Sequence, residues 1–254
     1  MKLPTRIFVS SAVAILLACP LAILAQWDKK PYTEWSEKET RKLLDESPWS
    51  QKQTFTDTSK NTSTTTSRGS AQTTIADLIN VTFRMRFFTA KPVRQAISRS
   101  MELQQKSELP EALAARLKAL ATADFPDFVI ITVTCESDRA SNLLQQAQAL
   151  LQQLKTADLK NSTYLLTKDG RRVFLQEYQS PRNDGFGARF VFPRLVDGHP
   201  LLTPDSGEVL FHAELKGGSM LNSTIANSDV ANNGFTLSMR YKVKDMMFGG
   251  RLEY

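Results

Sequence analysis

From Ile79 to Phe87 the chain alternates without a break. Ile79, Val81, Phe83, Met85 and Phe87 are apolar, and Asn80, Thr82, Arg84 and Arg86 stand between them. A period of two predicts a half-buried antiparallel strand with a basic outer face. The run Phe128 to Cys135 is apolar on both faces and predicts a central strand covered on both sides. Alternation returns at Phe186, Ala188, Phe190 and Phe192, at Val209, Phe211, Ala213 and Leu215, and at Phe235, Leu237, Met239, Tyr241 and Val243. Tyr164-Leu165-Leu166 and Val173-Phe174-Leu175 flank Lys168-Asp169-Gly170-Arg171, which predicts a hairpin with an Asp-Gly turn. Helical spacing appears three times between these strands. Pro92 suits the first position of a helix carrying Val93, Ala96, Ile97 and Met101 on one face, and Pro110 opens a second with Leu113, Leu117 and Leu120. Ser137 or Asp138 is expected to cap a long third helix, with Ala140, Leu143, Leu144, Ala147, Leu150, Leu151 and Leu154 in one stripe. The sum is an α+β fold: a mainly antiparallel β-sheet or sandwich, with helices inserted after the second strand and after the central one.

Before the first alternating strand the pattern is different. Trp27, Tyr32, Trp35 and Trp49 are crowded into residues 26–50 around Ser36-Glu37-Lys38-Glu39, a capping box that starts a short helix running to about Glu46. Trp35 and Trp49 are expected to clamp that helix, through Leu43 and Leu44, to the main body. Residues 54–74 are dominated by Thr and Ser and read as a flexible insertion, because such a stretch cannot bury enough surface to offset its ordering entropy. Gly217 to Asn233 is a second polar stretch of the same kind. One α+β domain over residues 26–254 includes both. The blocks Trp35-Ser36-Glu37-Lys38-Glu39 … Leu43-Leu44-Asp45-Glu46-Ser47-Pro48-Trp49 and Phe83-Arg84-Met85-Arg86-Phe87 … Val93-Arg94-Gln95-Ala96 resemble those of uncharacterised secreted acidobacterial proteins. That resemblance implies bacterial export and transfers no functional residue.

Composition changes the picture mainly at the N-terminus. The chain has 254 residues, formal net charge +6, two cysteines and two histidines. Lys2 and Arg6 precede an uncharged run from Ile7 to Leu24, and Ala25 offers a small residue before a cut, so residues 1–25 read as a signal peptide. Two other readings of this stretch are a lipoprotein box at Leu16-Leu17-Ala18-Cys19 and an uncleaved anchor. Cleavage after Ala25 removes two cations and no acid, so the charge falls from +6 to +4 and Cys135 is the remaining thiol. The expected location is the periplasm or the exterior, with no membrane span after cleavage.

Candidate chemistry is sparse. No phosphate-binding Gly loop, zinc-protease helix or nucleophile elbow occurs. His212 and Glu214 share one strand face and, with His199 after Asp197, offer a metal or hydrolase site; a solvated polar face is the simpler explanation. The acids Glu34, Glu37, Glu39, Asp45 and Glu46 fit a charged amphipathic helix better than a glycosidase pair. Arg84 and Arg86 on one strand, and Arg240, Lys242 and Lys244 on another, would form a cationic stripe if those strands were neighbours. Such a stripe suits an anionic surface of phospholipid headgroups or acidic glycans. It lacks interleaved exposed aromatics, which weighs against nucleic acid. The reading that follows is an exported, non-enzymatic binding or interaction module that uses no cofactor and meets an envelope protein or an anionic surface. A hydrolase or metal protein built on His199, His212 and Glu214 is the alternative.

Overall fold

A computed structural model describes residues 27–57, 79–105, 109–216 and 234–254. In chain order, α1 (Glu37–Asp45) leads into β1 (Ser50–Asp57) and β2 (Ile79–Phe87). Then come α2 (Lys91–Gln104), α3 (Glu111–Thr122), β3 (Phe128–Ser137), α4 (Asn142–Gln153) and α5 (Thr156–Leu159). The second half is strands: β4 (Tyr164–Thr167), β5 (Arg172–Phe174), β6 (Glu177–Gln179), β7 (Ala188–Pro193), β8 (Leu195–Val196), β9 (His199–Pro200), β10 (Glu208–Leu215), β11 (Phe235–Lys242), β12 (Met247–Phe248) and β13 (Arg251–Leu252). This is the α+β class, with antiparallel pairing throughout the described sheets.

Two sheets carry the core. One has the order β1-β2-β3-β7-β6 and the other β11-β10-β4-β5. The alternating apolar residues of β2, β3 and β7 point at those of β10, β11 and β4, so Phe83, Phe87, Ile131, Phe190, Phe192, Phe211, Leu237 and Tyr241 are all buried. Rings meet across the interface: Phe83 and Phe235 at 4.9 Å between centroids, Phe87 and Tyr241 at 4.8 Å, Phe190 and Phe211 at 5.4 Å. Each such side chain contributes roughly 1.5–3 kcal/mol by leaving water. Tyr241 brings a hydroxyl into this layer and donates it to the Met85 carbonyl at 3.0 Å, so no polar group is stranded there.

Both sides of the sandwich are closed. On one side a single stretch of chain serves both sheets: β5 pairs with β4, and two residues later β6 pairs with β7. On the other, Gln53 of β1 acts as a piece of backbone. Its Nε2 donates to the Thr236 carbonyl at 3.0 Å and its Oε1 accepts from the Ser238 N–H at 2.9 Å, so one side chain pairs with the open edge of β11. One continuous core runs from Trp27 to Tyr254.

The structure differs from the sequence reading in local ways, each with a cause. Residues 54–57 of the expected insertion belong to β1, where pairing with β2 and burial of Phe55 against Phe83 and Phe235 outweigh a weak apolar pattern; residues 58–74 and 217–233 lie outside the described residues. The long helix is capped by Ser141, whose Oγ accepts from the Leu144 N–H at 3.1 Å, and begins at Asn142, not near Ser137. Pro92 is the second helical residue. Phe186 precedes β7 in a loop, because Gly187 at φ +79° turns the chain hard against β3. A Cβ at Gly187 would sit 2.3 Å from the Val133 carbonyl oxygen. The expected clamp is present: Trp35 and Trp49 are buried, and Trp49 Nε1 donates to the Glu253 carbonyl at 2.7 Å.

The capping box of α1 yields a pH prediction. The Ser36 N–H donates to Glu39 Oε2 at 2.8 Å, the Ser36 hydroxyl at 2.7 Å and Lys30 Nζ at 2.9 Å. These contacts, the backbone one foremost, hold the Glu39 carboxyl down to about 2. A carboxyl with a lowered folded-state value stabilises fully above its ordinary 4.5 and loses that contribution as pH falls toward 2. Trp35 fluorescence should therefore report loosening of α1 between about pH 4.5 and 2, and Glu39→Gln should flatten that response. At the sandwich edge, Gln53→Ala should lower stability by about 1 kcal/mol in urea unfolding, with the exposed neighbour Lys52→Ala near neutral.

Candidate binding site

The outer face of the five-stranded sheet carries the outward half of each alternation. One rung reads Ser50, Arg86, Thr132, Arg189 and Gln179 across β1, β2, β3, β7 and β6. The next places Arg84 between Lys52 and Thr134. Three guanidiniums thus project from a face that helices cover. Arg84 Nη1 lies 2.8 Å from Asp45 Oδ1, and the same side chain bonds Glu136, with Nε at 3.0 Å. Arg189 pairs with Asp184, which also accepts the Phe186 N–H at 3.1 Å, and its guanidinium stands over the Phe186 ring.

Arg86 is held differently. Its Nε donates to the Leu44 carbonyl at 2.7 Å, in the last turn of α1, where carbonyls have no helical partner and a cation is favoured. Ser50 Oγ donates to the same oxygen at 2.5 Å. Asp45 is 3.4 Å from Arg86 Nη2, farther than from Arg84. The Nη1 group of Arg86 has no partner among the described residues. Burial pulls the Arg86 guanidinium below its ordinary value against the opposing charge of Asp45, whereas the Glu136 hydrogen bond raises Arg84. Burial alone would raise the Asp184 carboxyl; the Arg189 hydrogen bond, the Phe186 N–H and the charges of Arg189 and Arg182 together bring it below its ordinary value.

Over this rung lies one face of α2. Ile97, Ser100, Met101 and Gln104 follow i, i+3, i+4, i+7 and line a cavity of about 320 Å³, which Leu44, Asp184, Gly185 and Phe186 close at the sides and Arg86 and Thr132 floor. Thr132 is 2% exposed, and its hydroxyl makes no hydrogen bond to any described residue. Ser100 Oγ accepts from Gln104 Nε2 at 3.2 Å, which leaves its own proton available. Elsewhere α2 is anchored by Arg94, whose guanidinium bonds the Thr89 carbonyl and the Leu120 and Ala123 carbonyls at the end of α3. Arg99 donates to the Trp35 carbonyl at 3.0 Å. The roof is thus pinned at several points.

The residues singled out from sequence are dispersed. Arg84 and Arg86 lie under α1, while Arg240 and Lys242 project from β11 of the other sheet and Lys244 sits in the 3-10 turn Val243–Asp245 beyond it. The stripe of five cations therefore does not form: β2 and β11 belong to different sheets, and acids already face Arg84 and Arg86. Aromatics do accompany the cations of β11's sheet, contrary to expectation, since Tyr164 and Phe174 share the outer face with Arg172 and Arg240. His212 stacks on Tyr164 at 4.8 Å, with Arg172 over the same ring, and its Nε2 is 3.7 Å from Glu214 Oε1. Glu214 is held closer by Lys216, at 2.6 Å. His199 belongs to the small β8–β9 hairpin, so His199, His212 and Glu214 do not converge, and no three His, Cys, Asp or Glu side chains among the described residues could hold a metal ion. Thr132, Arg189, Asp184 and the α2 face were not singled out. The one available signal was Thr132 itself, a polar residue inside a strand apolar on both faces.

No protein-family model, curated protein or solved structure matches this chain. The site stands on its own geometry.

Because Asp45 faces two partly buried guanidiniums, Asp45→Ala should cost about 2 kcal/mol in urea unfolding. Glu37→Ala, which breaks the exposed pair with Arg41, should cost no more than about 0.5 kcal/mol.

Proposed function

We propose that this chain is an exported, non-enzymatic binding module and that it holds its ligand in the cavity under α2. The observation that carries the reading is the floor of that cavity. The hydroxyl of Thr132 and the Nη1 group of Arg86 have no partner among the described residues, and a ligand that pairs with both gives them a role. The walls combine apolar and polar side chains in the mixture that small-molecule pockets use. The chemistry present elsewhere favours binding over catalysis. Burial, with Glu136 adding to it, pushes the Cys135 thiol up to about 11, the reverse of a nucleophilic cysteine. His212 is engaged by ring stacking on Tyr164 and has one carboxylate near it.

Export is supported by the positive start and apolar run of residues 1–25, which lie outside the described residues. No described helix is long and apolar enough to cross a membrane. Attraction to an anionic surface is the second reading; it rests on Arg172, Arg240 and Lys242, which are exposed on one face.

Native mass spectrometry of the chain incubated with small-molecule extract of its own envelope tests the proposal. One small adduct per chain should appear and should be lost in Ser100→Phe, which fills the cavity. Equal adducts in both proteins, or none in either, would contradict it. N-terminal sequencing of the exported chain should begin at Gln26.

A further inference from the structure

Given the reading of the cavity as a ligand site, on which this step rests, we infer that its ligand is a small carboxylic acid with an apolar body, anchored by Arg86 and Thr132. Arg86 supplies the charge. Its Nε is engaged by a neutral carbonyl, and the nearest carboxylate, Asp45, lies 3.4 Å from Nη2 but 2.8 Å from the Nη1 of Arg84. The positive charge is thus only partly compensated, and Nη1 is an unused donor at the cavity floor. Thr132 sits directly across the ladder from Arg86, so its hydroxyl is placed to donate to the second oxygen of a carboxylate that Arg86 holds by the first. Ser100, on the roof above, offers a third donor once its oxygen has accepted from Gln104.

The other walls define the rest of the molecule. Leu44, Ile97, Met101 and Phe186 present hydrocarbon, so the body beyond the carboxylate is apolar. Asp184 discriminates on charge. It is already paired with Arg189 and bonded to the Phe186 N–H, so it needs no cation from the ligand, and as an anion at the cavity wall it opposes a second negative charge. A monocarboxylate satisfies the set, whereas a phosphate monoester or dicarboxylate meets Asp184. At about 320 Å³ the cavity is at the small end of ligand sites, in keeping with a short acid.

Hexanoate, hexan-1-ol and hexylammonium are suitable probes in amide-resolved NMR titrations of the chain from Gln26. Hexanoate should produce saturable shifts confined to residues 97–104, 130–134 and 184–186. Thr132→Val, which keeps the shape and removes the hydroxyl, should weaken its binding about tenfold with the spectrum otherwise preserved. Ile97→Trp should abolish it by filling the cavity. Hexan-1-ol or hexylammonium binding at those amides as tightly as hexanoate would overturn the ligand class and leave the cavity reading standing. Silence from all three probes, or hexanoate shifts centred on Arg240 and Lys242, would overturn both. Unchanged hexanoate affinity in Thr132→Val would remove the anchor assigned to Thr132 and with it the inference.

Discussion

Three guanidiniums on one sheet face cannot be roofed by helices unless anions come with the roof, and the outer half of this molecule is arranged around that requirement. Burying an arginine without a partner costs several kcal/mol, more than most single contacts return. The chain meets the demand from three directions: Asp45 and the Leu44 carbonyl from the end of α1, Glu136 from β3, and Asp184 from the loop before β7. The position of α1 is therefore set at its C-terminus by Arg86. Its N-terminus is set by the capping box and by Trp35, which Arg99 of α2 holds through the backbone carbonyl. Gly187 lets the Asp184 loop lie close on β3, where a side chain would collide with Val133.

The closed sandwich beneath explains why a ligand site falls outside the two sheets. Phenylalanines from both sheets fill the inner layer, and interiors at that density resist both added and removed volume. The layer between the five-stranded sheet and α2 is different. It mixes charge, hydroxyl and hydrocarbon, and its helices are attached by arginine-to-carbonyl bonds at Arg86, Arg94 and Arg99. Such a layer keeps its shape without close packing of every side chain, which leaves room for a cavity.

The strands of the core were legible because alternation is a local property: β2, β3, β7, β10 and β11 all fall where apolar residues repeat every second position or run unbroken. β1 was less legible. Only Phe55 of Ser50–Asp57 is apolar, and the strand exists through its pairing with β2 and the bridge from Gln53 to β11. Ser137, Asp138 and Ser141 can all cap a helix, and Ala140 carries the apolar stripe two residues ahead of the first helical residue, so local pattern does not separate them. The site was legible only in pieces. Arg84 and Arg86 were visible as an outward basic pair, but nothing local says which sheet a strand joins, so Arg240, Lys242 and Lys244 were grouped with them. The acids that answer Arg84 and Arg86 come from about forty residues before and fifty after, distances over which pattern carries no pairing information, whereas Asp184 answers Arg189 from five residues away. Thr132 was the exception, a hydroxyl where both faces of the strand are covered.

The central claim is that the cavity floor offers the Nη1 group of Arg86 and the hydroxyl of Thr132 to an acid from outside the chain. A crystal structure of the chain from Gln26 grown with hexanoate tests it most directly. The account predicts a carboxylate within hydrogen-bond distance of Arg86 Nη1 and Thr132 Oγ1, with the alkyl chain between Met101 and Phe186. A cavity closed by the Arg86 side chain turning fully onto Asp45, with hexanoate bound elsewhere or not at all, would contradict it.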